Sequence, residues 1–329
     1  MNYGYLLLGA LCLLLAVGDL LWTTLWVEGG AGPMTSRLMG RTWDTLRTVS
    51  GDHSRWLSVA GPAILIGSLV VWIALLWAGW TFLFAAAENA LIDTRAAGPI
   101  SWTERLYFVG YSVFTMGNGD FAPRDGLWQV VTALTTASGM LFVTLSVTYV
   151  LSVLGAVTQK RALASSISGL GPRSTEILAT SWDGEEFRGL ELPLNTISTR
   201  VNTLTSNHKA YPILHYFYTP DPDRAPTAAI AVFDEMLTLL QFGVSKRHRP
   251  SELAIRQARE SVSTYLETLD TAFVQAADES PPVPAISAVR DGGVPTVPPE
   301  EFHDAMTTVD DRRRQLFGLL QSDERQWPR

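Results

Sequence analysis

Three long apolar stretches constrain this chain before any other feature does. Residues 3–27 carry one formal charge, Asp19, while residues 57–87 and 126–157 carry none. A helix needs about 20 mostly apolar residues to cross a bilayer, and each stretch exceeds that length. Trp22, Trp26, Trp56, Trp80 and Trp128 stand toward the ends, where amphipathic rings favour the membrane–water boundary. The pattern predicts three transmembrane helices. The opening MNYGYLLL has no Lys or Arg and no clean Ala-x-Ala site follows, so the first stretch is expected to remain as a span rather than be cleaved.

Charge divides the 329 residues unevenly. Residues 1–157 hold 7 Lys/Arg and 9 Asp/Glu, and residues 158–329 hold 18 and 23. The first part is therefore membrane-like and the second has an ordinary soluble composition. With a net charge of −7, nothing is basic enough for nucleic acid to be the expected partner. The lone Cys12 excludes an intrachain disulfide framework and a multi-thiolate zinc site. Arg37, Arg41, Arg47 and Arg55 fill the 28–56 loop, and Lys160-Arg161 follow the third stretch, whereas residues 88–125 mix Arg with acids. Positive charge favours the cytoplasmic side, which puts 28–56 and the C-terminal half inside and the N-terminus outside.

Between the second and third stretches the chain must leave and re-enter the membrane region. Ser101-Trp102-Thr103-Glu104 has the Ser-x-x-Glu form of a capping box, and the apolar, aromatic run 105–114 after it is too short to span. Thr115-Met116-Gly117-Asn118-Gly119-Asp120 follows, then Phe121-Ala122-Pro123. A short capped helix, two glycines in alternation and a proline-broken return predict a re-entrant loop. Such backbone is tolerated at membrane depth only where protein buries it or it lines water.

This segment resembles the pore domain of the tetrameric potassium channels, of the bacterial two-transmembrane type, with an extra N-terminal helix. The family's filter reads Thr-Val-Gly-Tyr-Gly-Asp; this chain matches it at Thr115, Gly117, Gly119 and Asp120, and has Met116 for Val and Asn118 for Tyr. Gly139 stands where the family's inner-helix hinge falls, and the likeness covers roughly residues 57–157. The resemblance implies a homotetramer that passes K⁺ down its gradient. Thr115, Met116, Gly117, Asn118 and Gly119 would form the ion-binding filter, and Asp120 would sit at the outer mouth. No cofactor is implied; K⁺ is the permeant ion. The aromatic that braces the family's filter is Asn118 here, so bracing must come from elsewhere, with Phe121, Tyr107 and Tyr111 as candidates. Phe114 also replaces the Thr common just before the filter.

The expected fold class is an all-α membrane protein: three transmembrane helices, a re-entrant pore helix with its filter loop, and a mainly helical cytoplasmic domain. The expected organisation is an N-terminal helix (1–27), a cytoplasmic connector (28–56), a pore domain (57–157) and a C-terminal domain (158–329) with a Pro-rich linker at 278–299. In the last part the sequence predicts one or two helices over 173–207 broken near Pro193, a buried helix over 226–242, an amphipathic helix over 251–277 reaching Phe273, and a last helix over 300–321. No strand–Gly-x-Gly-x-x-Gly–helix pattern, catalytic triad or P-loop is present, so an enzyme is not expected and the domain's regulator is unassigned.

Several residues carry two readings. Gly139 is a bending point for gating or a small residue that permits close packing. Asp19 is expected to be a hydrogen-bonded structural acid near the inner interface. Residues 34–49 read as a short helix on the inner leaflet or as a connecting loop. The third stretch's hydroxyls line a wet cavity or bond their own backbone. At the level of function, two alternatives accompany K⁺ conduction in a prokaryotic plasma membrane. One is a weakly selective monovalent cation channel. The other is a non-conducting membrane anchor or receptor with a partner-binding helical domain.

Overall fold

The computed structural model describes residues 1–27, 30–50, 54–95, 98–270 and 275–328. Two compact units make up the chain. The first comprises Met1–Gly51, Val59–Leu154 and Ala210–Tyr216, and the second Asp52–Ser58, Gly155–Lys209 and Phe217–Arg329.

The first unit is built from α1 (Tyr3–Leu25), α2 (Pro33–Ser50), α3 (Ala60–Ala85), the short α4 (Trp102–Val113) and the first two-thirds of α5 (Leu127–Ser168). Among the described residues three helices are long and apolar enough to cross a membrane: Tyr3–Leu25, Leu57–Ala85 and Leu127–Ser168. At 1.5 Å per residue α1 is about 35 Å long, enough for a hydrocarbon core of ~30 Å. α5 has 42 residues. Its length of about 63 Å is twice that core, so it continues beyond the span that the sequence marks.

Aromatic side chains make the core of this unit. Trp72, Phe84 and Phe108 are fully buried, and Phe84 meets Phe108 at 5.0 Å and Trp128 at 5.4 Å between ring centroids. α1 lies against α3, with Gly9 and Gly79 at the crossing, where a side chain on either would collide with the other helix. Leu7, Leu14, Ile66, Leu134, Leu141 and Leu151 are exposed on the outer faces. That much uncovered apolar surface is untenable in water and ordinary in lipid.

A two-stranded antiparallel hairpin, β1 (Leu91–Asp93) with β2 (Phe121–Pro123), was not foreseen from the sequence. It closes the base of the segment that carries α4 and its loop, pairing Leu91 with Pro123 and Asp93 with Phe121.

The second unit is helical, as its composition predicts. α6 (Ser174–Ser181), α7 (Glu191–Ala210), α8 (Pro226–Thr238), α9 (Glu252–Asp270), α10 (Ile286–Asp291), α11 (Pro299–Met306) and α12 (Asp310–Ser322) follow the end of α5. α8 opens on Pro226 and is buried nearly all round; the chain then widens into a single π-turn, Leu239–Gly243.

Three predicted elements differ. The break in 173–207 falls at Trp182–Leu190, where Asp183 Oδ1 accepts from the Glu185 and Glu186 backbone N–H groups at 2.9 and 2.8 Å. Pro193 sits inside the first turn of α7, where no intrahelical N–H is needed. The last helix is two, because Thr307 and Thr308 turn their hydroxyls onto the carbonyls of Asp304 and Ala305 through a 3₁₀ turn. Residues 278–299 include α10 and bury Val289, Val294 and Val297, so they are packed chain rather than a bare tether. α9 follows the predicted amphipathic pattern as far as Asp270, and Phe273 lies outside the described residues.

Candidate pore-loop site

The geometry starts at the N-terminus of α4. Ser101 and Glu104 form the reciprocal capping box that the sequence predicts: the Ser101 N–H donates to Glu104 Oε2 at 2.7 Å, and the Glu104 N–H donates to Ser101 Oγ at 3.3 Å. The bond from the Ser101 backbone holds the Glu104 carboxyl below its ordinary value.

At its other end α4 runs into a loop whose backbone alternates in handedness. Thr115, Gly117 and Gly119 have φ of +58°, +57° and +81°, while Met116 and Asn118 are not in the positive region. Glycine tolerates such angles, but a β-branched threonine at φ +58° is an outlier costing about 1–3 kcal/mol. The loop's own hydrogen bonds hold it there: the Thr115 N–H donates to Ser112 O at 3.2 Å and the Met116 N–H to Tyr111 O at 2.8 Å.

A polar lattice backs the loop. Asn118 Nδ2 donates to the Tyr107 hydroxyl and, at 3.0 Å, to Asp120 Oδ2. Asp120 also accepts from Tyr107 at 3.4 Å and pairs with Arg95 Nη1 at 3.5 Å. Tyr111 donates to Phe121 O at 2.6 Å, and the rings of Tyr107, Tyr111 and Phe121 meet edge to face. These are the three aromatics the sequence offers as substitutes for the missing filter tyrosine.

Thr94 and Arg95 escaped sequence reading. The Thr94 backbone N–H donates to Asp120 O at 3.1 Å, and its hydroxyl reaches both Gly119 O (2.9 Å) and Asp120 O (2.8 Å). The Arg95 guanidinium stands 5.1 Å over the Phe121 ring. Nothing local marks either residue; the β1–β2 register carries them across some 25 positions to the loop.

Among the described residues no donor reaches the carbonyls of Thr115, Met116, Gly117 or Asn118, whereas Gly119 O is taken by Thr94. Phe114 and Met116 are 51% and 62% exposed, so this chain does not cover its own loop.

Gly139 explains itself by proximity. A Cβ there would lie 2.0 Å from Val113 O, so the third span passes the end of α4 too closely for any side chain. α5 runs unbroken through this position. Trp80 Nε1 donates to Ser138 Oγ at 2.9 Å beside it. Along α5 the hydroxyls of Thr132, Thr135, Thr144 and Thr148 bond the carbonyl one turn back, which is the backbone-bonding reading of that stripe.

Asp19 is a structural acid, as expected. Its carboxylate accepts from Met34 N–H (2.7 Å), Thr35 N–H (3.2 Å), Thr35 Oγ1 (2.5 Å) and Trp72 Nε1 (2.8 Å). The acid of α1 thereby caps the first turn of α2, which is helical rather than a plain loop, and ties it to α3. Among the described residues no group of His, Cys, Asp and Glu is placed to hold a metal ion.

A membrane-embedded helical bundle with a capped re-entrant helix and a glycine-punctuated loop is the architecture of a channel protein, and residues 68–156 match the protein family described as ion channel. Over its length the chain is 42% identical across 328 residues, covering 100% of this chain and 96% of the other, to a protein of Bacillus subtilis (strain 168) named uncharacterized membrane protein YdjJ. The chain belongs to the family of that membrane protein and carries an ion channel domain. No solved structure matches it.

Proposed function

We propose that four copies of this chain assemble around one axis and pass K⁺ down its electrochemical gradient across a prokaryotic plasma membrane. Residues 57–157 form the pore, and residues 158–329 form a cytoplasmic helical domain. The N-terminus lies outside, the arrangement favoured by the arginines of 28–56 and by Lys160-Arg161.

The observation that carries this reading is the row of four unbonded carbonyls, Thr115 to Asn118, on backbone whose φ alternates in sign. These carbonyls lie on exposed residues of the single chain, open to an ion or to a neighbouring copy. A dehydrated monovalent cation needs a cage of oxygens in place of its water, and main-chain oxygens supply one without a net charge that would trap the ion. One loop cannot close a ring, so the site is completed by identical neighbours. Gly119 belongs to the filter as its locked outer end, Asp120 stands at the mouth, and Gly139 seats the pore helix on the third span.

Proteoliposomes test the reading. K⁺-driven flux, blocked by Ba²⁺ and carried by a four-chain assembly, is expected, with Na⁺ flux at least tenfold smaller. Absence of Ba²⁺-sensitive flux at any pH or ionic condition would leave a membrane anchor as the function. A second reading, a weakly selective monovalent cation channel, is favoured by Asn118, whose amide replaces an aromatic brace with hydrogen bonds to Tyr107 and Asp120. Equal Na⁺ and K⁺ permeability in bi-ionic conditions would establish it.

A further inference from the structure

The helical unit contains a cavity of about 860 Å³ between the 241–250 segment, α9 and the α11–α12 pair. Five cationic side chains line it: Lys246, Arg249, Arg256, Arg259 and Arg312. Only two carboxylates, Glu252 and Glu301, share the lining. Composition does not account for this, since residues 158–329 are acidic overall.

Two of the cations are built into the wall. The Arg259 and Arg312 side chains are 12% and 17% exposed, and both lean on Asp234, itself 2% exposed, at 3.3 and 2.6 Å. Arg259 Nε donates to Gln241 Oε1 at 3.0 Å and its Nη2 to Thr238 Oγ1 at 2.9 Å, while Arg312 Nη1 donates to Ser263 Oγ at 2.6 Å. Both guanidinium planes are thus fixed. One carboxylate serves two guanidiniums, and the neighbouring Glu235 is engaged by Arg313 at 3.8 Å. A positive charge is left over at the cavity wall, and burying it uncompensated is costly. Arg249 adds a third oriented fork, its Nε held by Val244 O at 2.9 Å.

Phe242, Ile255 and Val309 give the same cavity an apolar side. Oriented guanidiniums match phosphate oxygens in pairs, and the volume falls in the range of small-molecule sites. We propose that this cavity binds a phosphate-bearing small molecule whose phosphates meet the Arg/Lys wall and whose organic part lies on Phe242 and Ile255. Side chains, not a glycine loop, supply the phosphate contacts. A free phosphate ester and a lipid headgroup share that chemistry.

Titration calorimetry on the full-length protein tests it and needs no ion flux, so it stands or falls apart from the channel reading. In detergent the probes are ATP, pyrophosphate and inorganic phosphate; in nanodiscs, phosphatidylglycerol is compared with phosphatidylcholine. Saturable heat with ATP or pyrophosphate identifies a soluble ester as the source. A rise in melting temperature only in phosphatidylglycerol identifies a headgroup. In either case Lys246→Glu with Arg256→Glu weakens the effect by roughly tenfold or more, as expected for lost charge-assisted contacts. Should that double variant not fold, Arg256→Gln carries the same test with a smaller loss, because its side chain is 75% exposed. Binding of none of these probes, or binding unchanged in the variants, overturns the proposal.

Discussion

The Asp19 node and the Thr115–Asp120 loop use polar groups in opposite ways. At the node, one buried carboxylate takes donors from α2 and α3, and Thr23 Oγ1 takes the Gly32 N–H at 2.9 Å. All of that polarity is consumed within one chain. At the loop, the rear face is equally well bonded, through Tyr107, Tyr111, Thr94 and Arg95, yet four consecutive carbonyls have no donor among the described residues. Satisfied polarity fixes a structure, and unsatisfied polarity held in place by satisfied polarity is where a ligand or a neighbour fits.

The contrast can be broken at the node first. Asp19→Leu strands two backbone N–H groups, a hydroxyl and the Trp72 indole, and is expected to cost about 5 kcal/mol. Thermal unfolding in detergent measures this, and an unchanged melting point would mean the node is not a structural anchor. Gly139→Ala comes next. Its methyl collides with Val113 O, for a loss of about 3 kcal/mol at the top of the overpacking range. Loss of the assembled oligomer by size-exclusion chromatography is the readout.

Asp234 extends the comparison to the helical unit, as another carboxylate fully spent on partners. Burial alone would raise its carboxyl, but the guanidiniums of Arg259 and Arg312 outweigh burial and hold it below the ordinary 3.8. Its stabilising contribution is therefore present above 3.8 and lost as pH falls below that value through the lower folded one. Asp234→Asn should cost about 2 kcal/mol at neutral pH. The gap to the parent protein should narrow in acid, as urea titrations at several pH values would show.

At the loop the order reverses, with small losses of stability and large losses of function. Gly117→Ala forces a Cβ to φ +57° for about 1 kcal/mol, and should abolish flux in liposomes while the melting point moves little. Thr94→Val removes the donor on Gly119 O at less than about 1 kcal/mol. It sharpens the comparison most, because freeing a fifth carbonyl should lower the K⁺/Na⁺ permeability ratio without reducing the amount of assembled protein. An unchanged ratio would remove Thr94 from the filter's support.

Much of the pore segment was legible residue by residue. The spans follow from apolar length, the α4 start from Ser101 and Glu104, and the loop from two alternating glycines. Tyr107, Tyr111 and Phe121 were readable as candidate braces because they lie within fourteen residues of one another on a short helix and its return. Thr94 and Arg95 were not, since strand pairing brings them in and a three-residue strand has no usable period. In the helical unit, Pro193 misled because proline breaks a helix interior but is accommodated in a first turn. The basic cavity showed in the sequence only as the charged run Lys246-Arg247-His248-Arg249, which reads equally as a solvated helix end, because its other cations come from separate segments at 256, 259 and 312.

What the sequence determined by itself is whatever depends on neighbours along the chain: burial in lipid through runs of apolar residues, helix starts through caps, and positive φ through glycine. Tertiary structure decided where hydrogen bonds go once helices touch. It made Asp19 a cap for another helix, gave Gly119 O to Thr94, and left the carbonyls of Thr115 to Asn118 without donors among the described residues. Those outcomes turn on ångström-scale approaches between distant segments, such as Gly139 against Val113, and no one-dimensional pattern encodes them.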